Sequence, residues 1–479
     1  MIAVDLLVLL PFAGAVASLI TARSGGSAAR WIALVTSVAV VPLAVIVGMA
    51  GAFAGERVTG TQVVSLGFWQ LVSDGLSMPL VLLTALLGVA AVSASWRIDT
   101  RPGTYFALLL LLQAAVTGVF LAEDLILFYV FWELVLIPMY FLIGGWGHER
   151  RRHAAAKFFI YTFAGSALML VGILVAIYTA GAWRIPDLVR IAATQPQSAF
   201  VFWLLMAGFL VKIPAWPLHT WLPDAHVEAP TAGSIMLAGV LLKMGGYGIL
   251  RLAIPLSPPA FEGARGIILA LGLIGIIFGA FTALVQTDLK RLVAYSSVSH
   301  MGFVLVAIAT ASAGAFGAAM LGMVSHGFVA GLLFLLVGSL YDRTHTRELR
   351  RFGGLGNVVP LWSVAFVFAG LASLGLPGLS GFPGEFGSVL EGFRVFGWWL
   401  VAATVGVVFA AAYNLRAIRE TVQGPVGDFG ILADLRPAET VTVAGFGIAI
   451  LVIGIWPNSV LLMADPVLRT LGALVGKGL

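Results

Sequence analysis

Six titratable residues stand inside stretches apolar enough to cross a bilayer: Glu133, Lys212, Lys243, His300, His326 and Glu385. Lys212 and Lys243 share the run from Phe209 to Arg251, FLVKIPAWPLHTWLPDAHVEAPTAGSIMLAGVLLKMGGYGILR, whose first segment is interrupted by Pro214 and Pro217. At ~1.5 Å per residue, a helix crosses a ~30 Å hydrocarbon core in about 20 residues. Lys212 precedes the polar turn at Pro223-Asp224 by about ten residues and Lys243 follows Pro230 by about thirteen, so both lie near the midplane. From there a lysine cannot snorkel to the headgroups. An ammonium at that depth costs several kcal/mol unless it is partnered, and it marks a functional site by default.

Glu133, in DLILFYVFWELVLIPMYFL, has about nine apolar or aromatic residues on either side. Alone it would take up a proton, whereas beside Lys212 or Lys243 both members could stay charged. A structural ion pair joining two helices is the other reading. Glu385 closes the run LGLPGLSGFPGEF at 374–386 and serves either as a transport group or as a capping carboxylate where a helix restarts. His300 in SSVSHMGF and His326 in MLGMVSHGFVAGLLF carry imidazoles, whose ordinary pKa near 6.5 suits proton transfer, though either alone is equally a structural histidine. Six such groups scattered through an apolar interior are what a proton relay requires, because each hop needs a group or a water within hydrogen-bond reach. His219, Asp224, His226 and Glu228 crowd the polar turn, but their spacing matches no metal-ligand pattern, and they read as helix-end or gate groups. Asp5 and Asp74 fall near helix ends, where solvation or capping accounts for them.

The chain that must position these residues is 60% hydrophobic and 10% charged, with a mean hydropathy of +1.03, against a soluble average of about 25% charged. It reads as an all-α polytopic membrane protein. Apolar runs occur near 2–20, 30–52, 77–95, 104–122, 125–143, 157–180, 198–222, 231–253, 264–285, 292–311, 314–340, 359–395, 396–415 and 441–463, fourteen in all. The first lacks a basic flank and contains Asp5, so it reads as a spanning helix and not a cleaved signal. The loops after odd-numbered helices hold seventeen Lys and Arg, while eight others lie in even loops or the C-terminal tail. That bias places both termini outside, in the periplasm of a bacterium. A net charge of +5 arises from these loops and does not point to nucleic acid.

The seventh run and the twelfth, with Pro377, Pro383 and glycines at 375, 378, 381 and 384, cannot be uninterrupted helices. Irregular backbone is tolerated at membrane depth only where it is buried in protein or lines a cavity. They are the fourth members of two five-helix blocks, helices 4–8 and 9–13. Five is odd, so the blocks run in opposite directions, as in an inverted repeat with ion sites at the broken helices. The chain thus divides into 1–103 (helices one to three), 104–255 and 256–420 (the two repeats), and 421–479 (a loop and helix fourteen). With no cysteine it cannot offer thiolates to an iron–sulfur cluster, and it carries no nucleotide-binding glycine motif. Redox cofactors are expected on partners.

The runs FYVFWELVLIPMYFLIGGWG, KIPAWPLHTWLPDAHVEAPTAGSIMLAGVLLKMGGYG, DLKRLVAYSSVSHMGF and LPGLSGFPGEF closely resemble the antiporter-like membrane subunits of respiratory complex I, the proton-translocating NADH:quinone oxidoreductase. The likeness extends from about residue 70 to 415. Glu at 385 resembles the M type, equivalent to mitochondrial subunit 4, whereas L and N types and Mrp antiporters generally carry Lys there. The expected lack of a long amphipathic C-terminal arm also resembles M and not L. The resemblance implies that Glu133 and Lys212 form a charge-switching pair, Lys243 a central relay, His300 and His326 its continuation, and Glu385 the exit-side group. It implies neighbours of the L and N types, a bacterial inner membrane, and NADH, FMN, iron–sulfur clusters and quinone on other subunits. An Mrp-type cation/proton antiporter or a membrane-bound hydrogenase complex, which use the same kind of subunit, are the alternatives.

Overall fold

Apolar composition at this level leaves the backbone only itself to bond with inside a bilayer, and helix is the form that satisfies it. The computed structural model describes residues 2–23, 26–54, 58–59, 69–427 and 432–475. Among them the only sheet is a two-residue pair, Val58–Thr59 with Val72–Ser73. The rest is helix and connections: α1 Ile2–Ile20, α2 Gly26–Ala54, α3 Met78–Ala94, α4 Pro102–Leu121, and α5, which bends at Val135 between Leu125–Leu134 and Leu136–Trp146. Then come α6 Arg151–Ala180, α7 in two halves (Ala199–Lys212 and Trp221–Glu228), α8 Thr231–Leu256, α9 Pro258–Val285 and α10 Leu289–Thr310. They are followed by α11 Ala313–Thr344, α12 in two halves (Pro360–Ser373 and Gly381–Phe396), α13 Val401–Val422, α14 Pro437–Ile455 and α15 Asn458–Val475. All fourteen apolar runs are helical, and the seventh and twelfth are broken as expected. The first halves of α7 and α12 have 14 residues each, roughly 21 Å of rise, so neither crosses without its second half.

Connections alternate between two faces. On one, His148 N bonds Glu228 O, Asp288 bridges Glu348, and Gly354 N bonds Gln423 O. On the other, Gln197 N bonds Leu256 O and Ser312 bonds Glu391. The described residues begin at Ile2 and end at Val475 on this second face. The seventeen basic residues all belong to the first face, although the side chain of Arg23 lies outside the described residues, as do Arg57 and Lys477 among the other eight.

One expectation about the C-terminus is corrected. The last run, read as 441–463, leaves the bundle at Ile455, where Trp456-Pro457 ends the helix. After it α15, amphipathic and not foreseen, lies along the second face. Met463 meets Gly75 ahead of α3, and Gly472 meets Ala313 at the start of α11. Both points are on that face, so the helix runs across helix ends and does not cross the membrane.

Within the second repeat, α9 and α10 approach closely through glycines. Gly272 on α9 faces Gly302 on α10, and a Cβ on Gly302 would stand 2.7 Å from the Gly272 carbonyl. Gly302→Ala is therefore expected to cost about 1–3 kcal/mol, since rigid backbone must move. It would be measured as a lowered melting temperature of the subunit in its purified complex.

Candidate functional site: a buried polar axis

The breaks place the charges. Lys212 is the last residue of the first half of α7, where the free carbonyls and the helix dipole favour a cation. Pro214 and Pro217 keep the helix from continuing, and the indole of Trp221 donates to Val211 O (3.1 Å) to satisfy part of the opened end. The Lys212 ammonium is buried, makes no hydrogen bond to protein, and lies 5.5 Å from the Trp132 ring and 5.7 Å from that of Phe158. Ring faces hold a cation but cannot accept its proton. Glu133 is the carboxylate whose field reaches this ammonium. It stands just before the bend in α5, where Pro138 leaves Leu134 O without a helical donor. The two are neighbours and not a direct salt bridge. Glu133 is half-buried on a flank it shares with exposed Val130 and Ile137, with Tyr129 one turn before it on the same helix.

Lys243 is fully buried on α8. Two π-helical turns, Leu237–Leu241 and Ile249–Ala253, bracket it. The first of them turns the Ala238 carbonyl to the Lys243 ammonium, which donates to it. The same ammonium lies 2.6 Å from Nδ1 of His326 on α11. The rings of His326 and of His300 on α10 are 5.6 Å apart, centre to centre. His300 Nδ1 is 2.5 Å from Glu385 Oε1, and its Nε2 is 3.2 Å from both Ser373 Oγ on α12 and Tyr413 OH on α13. A small cavity, with about 20 Å³ of room for water, is lined by both histidines, Ser325, Ser373 and Glu385. His326 Nε2, with no protein partner, is the buried polar atom that a water there would satisfy.

Glu385 sits five residues into the second half of α12, past the cap position, so it does not cap that helix. The break before it uses Gly375 (φ +79°) and Gly378 (φ +90°), left-handed conformations that favour glycine. Thus four of the six residues, Lys243, His326, His300 and Glu385, form a connected row, while Glu133 and Lys212 form a separate neighbouring set. The second set adjoins the first through α7 and α8, where Gly245 packs on Phe209 O and Ile213 N.

The turn residues diverge. His219 packs on Phe278, Asp224 binds Lys157 (2.6 Å) and Arg291 (3.0 Å), and Glu228 accepts from Arg150 N. His226 stacks on Phe334 with both ring nitrogens unpartnered. No three potential ligands among the described residues converge on a metal position. Sequence reasoning missed Ser373 and Tyr413, whose polarity on α12 and α13 carries no periodic signal, and Lys290. That lysine is buried, donates to Ala229 O (2.6 Å), and lines a polar cavity of about 380 Å³ open to the first face.

Asp5 and Asp74 are buried and not solvated. Asp74 does cap, accepting from the Leu76 and Ser77 amides, but its carboxylate also holds Arg251 of α8 in a two-bond pair at 2.6 and 2.5 Å. Asp74→Asn should cost about 3–5 kcal/mol by stranding the guanidinium. The expected readout is loss of assembled subunit in membranes, and Asp74→Asn/Arg251→Leu should recover part of it.

Residues 122–410 match the family described as NADH:quinone oxidoreductase/Mrp antiporter, TM. NADH-quinone oxidoreductase subunit M of Rhodobacter capsulatus is 39% identical over 96% of this chain and 94% of its own. That of Escherichia coli strain K12 is 42% identical over 87% of each. The chain belongs to the subunit M family of NADH-quinone oxidoreductase. A chain of the respiratory complex I structure from Thermus thermophilus with bound NADH superposes with a TM-score of 0.91 at 30% identity, covering 99% of this chain and 100% of that one. A chain of the membrane-bound sulfane sulfur reductase, an archaeal respiratory membrane complex, shares the fold at a TM-score of 0.89 and 20% identity, covering 99% of each. As a subunit M family member, the chain is a multi-span membrane component of an enzyme complex. The residues in its broken helices are then placed in a complex that its other subunits complete.

Proposed function

We propose that this subunit carries protons across the bacterial inner membrane without doing redox chemistry itself, along Lys243, His326, His300 and Glu385. The observation that carries the proposal is the connected row, in which 2.6 Å and 2.5 Å contacts flank two imidazoles beside a water-sized cavity. Each protonatable group is within reach of the next directly or through one water, which is the geometric condition for transfer. Glu133 and Lys212 act as the coupling set. A charge change near Glu133 alters how strongly Lys212 holds its proton, because a buried ammonium depends on a nearby carboxylate. The altered field at Lys212 then drives the proton held at Lys243 towards Glu385. Moving one proton against 100 mV costs ~2.3 kcal/mol, which quinone reduction elsewhere in the complex must supply.

The cavity over Lys290 serves as the entry side on the cytoplasmic face, where the positive-inside bias puts the seventeen basic residues, with both termini periplasmic. NADH, FMN, iron–sulfur clusters and quinone belong to other subunits; this chain has no thiolate to offer a cluster. The half-exposed flank around Glu133 fits a neighbour of the L or N type, since a carboxylate facing lipid would be costly. Glu385→Gln tests the route, because it keeps shape and hydrogen bonding to His300 but cannot carry a proton. Proton pumping in membrane vesicles should fall at least about tenfold with the complex assembled, and unchanged pumping sinks the route.

A further inference from the structure

A second large cavity lies away from the polar axis, between α2, α3 and α14, with a volume of about 650 Å³. Its walls are Pro42, Leu86, Ala90, Phe328, Val441 and Gly445, and only Ser93 and Thr442 add hydroxyls. It opens sideways, since Val38, Leu86 and Val441 are exposed, and a Cβ on Gly445 would meet nothing within 4 Å. Inside a bilayer such an opening is filled by apolar chains.

The end of the groove at the basic face has a different chemistry. Ser93 and Pro437 line that end, Arg97 follows Ser93 by one turn, and Arg436 directly precedes Pro437. Both arginines thus adjoin the same end of the groove, with Arg97 also on the edge of the cavity over Lys290. The nearest acid, Glu439, is already held by Arg343 through contacts of 2.5 and 3.2 Å and accepts from the Arg436 amide at 2.8 Å, while the Arg436 guanidinium lies 3.9 Å from it. Arg97 is exposed and has no ion-pair partner among the described residues. Asp342 stands beside Arg343 in the chain and Asp434 two residues before Arg436, so the attraction for a phosphate lies in the two guanidiniums at the groove end and not in a net local charge.

We propose that this groove binds an anionic phospholipid, its acyl chain in the apolar trough and its phosphate on Arg97 and Arg436. Guanidiniums grip phosphate oxygens in two-point contacts, and a basic pocket between helices on this face is the setting in which anionic headgroups bind. A neighbouring apolar helix would fill the trough but would leave the two guanidiniums at its end without an anion.

The intact complex, purified and stripped with detergent, is offered phosphatidylglycerol or phosphatidylcholine of the same acyl chains. Lipid retained on the released subunit is then counted by native mass spectrometry. The expected result is at least one more phosphatidylglycerol than phosphatidylcholine per subunit. That excess should vanish in Arg97→Gln/Arg436→Gln, which removes the anion site, and in Gly445→Leu, which fills the trough without touching charge. Equal retention of the two lipids, or an unchanged excess in either variant, overturns the assignment. Loss of a neighbouring subunit from the Gly445→Leu complex with lipid counts unaltered also overturns it and gives the groove to a protein helix.

Discussion

Replacing Glu133 or Lys212 by alanine is expected to abolish NADH:quinone turnover and proton pumping together, each to below about a tenth of the parent level, in a complex that still assembles. The reason lies in how Lys212 is held. Among the described residues its ammonium lies against the faces of Trp132 and Phe158 with no hydrogen-bond acceptor, and the nearby carboxylate whose charge can change is Glu133. Without that carboxylate the lysine loses its sensitivity to events outside the subunit. Without the lysine the carboxylate has nothing to act on. Lys212→Arg separates two roles, because arginine keeps the charge but does not release its proton at working pH. If Lys212 exchanges a proton, arginine is nearly as defective as alanine; if it is a fixed charge, arginine restores turnover. Lost Na⁺/H⁺ exchange with intact NADH-driven pumping would remove the coupling role from this pair and favour an antiporter.

The second large effect is expected at Lys243. Lys243→Met fills similar space with an apolar side chain, yet the row then starts at His326 with Nδ1 no longer facing an ammonium. Pumping should fall at least about 100-fold, the scale on which a positioned proton donor contributes. Folding should suffer less, because an apolar side chain replaces a costly buried charge, and the penalty is the stranded His326 nitrogen at about 1–3 kcal/mol. Assembly is read from the subunit content of the purified complex, and pumping from acidification of membrane vesicles. Undiminished pumping in Lys243→Met would take this lysine out of the route.

Much of the architecture was legible because membrane solvent imposes severe rules. Apolar length marks the helices, and the odd size of each five-helix block sets the opposed directions of the two repeats. Pro214, Pro217 and Pro377 with its surrounding glycines show where α7 and α12 must open, since a proline offers no amide to the carbonyl one turn back and its ring crowds that carbonyl. The six titratable residues were visible for the same reason: in an apolar run a charge has no ordinary explanation. The fate of Asp74 was not visible, because Arg251 lies 177 positions away and only the packing of α8 beside the start of α3 joins them. The course of α15 was also hidden, as its apolar positions suit a span as well as a surface.

By itself, then, the amino-acid sequence determined that this is a many-helix membrane chain with two broken helices, a basic face, and six groups able to hold or pass protons. Those properties follow from local chemistry, namely hydropathy, proline and charge. Only the tertiary structure decided that Lys243, His326, His300 and Glu385 form one row while Lys212 rests on aromatic faces beside Glu133. Contact between side chains on α8, α10, α11 and α12 depends on helix rotation and on the π-helical turns around Lys243, and residue spacing along one helix specifies neither.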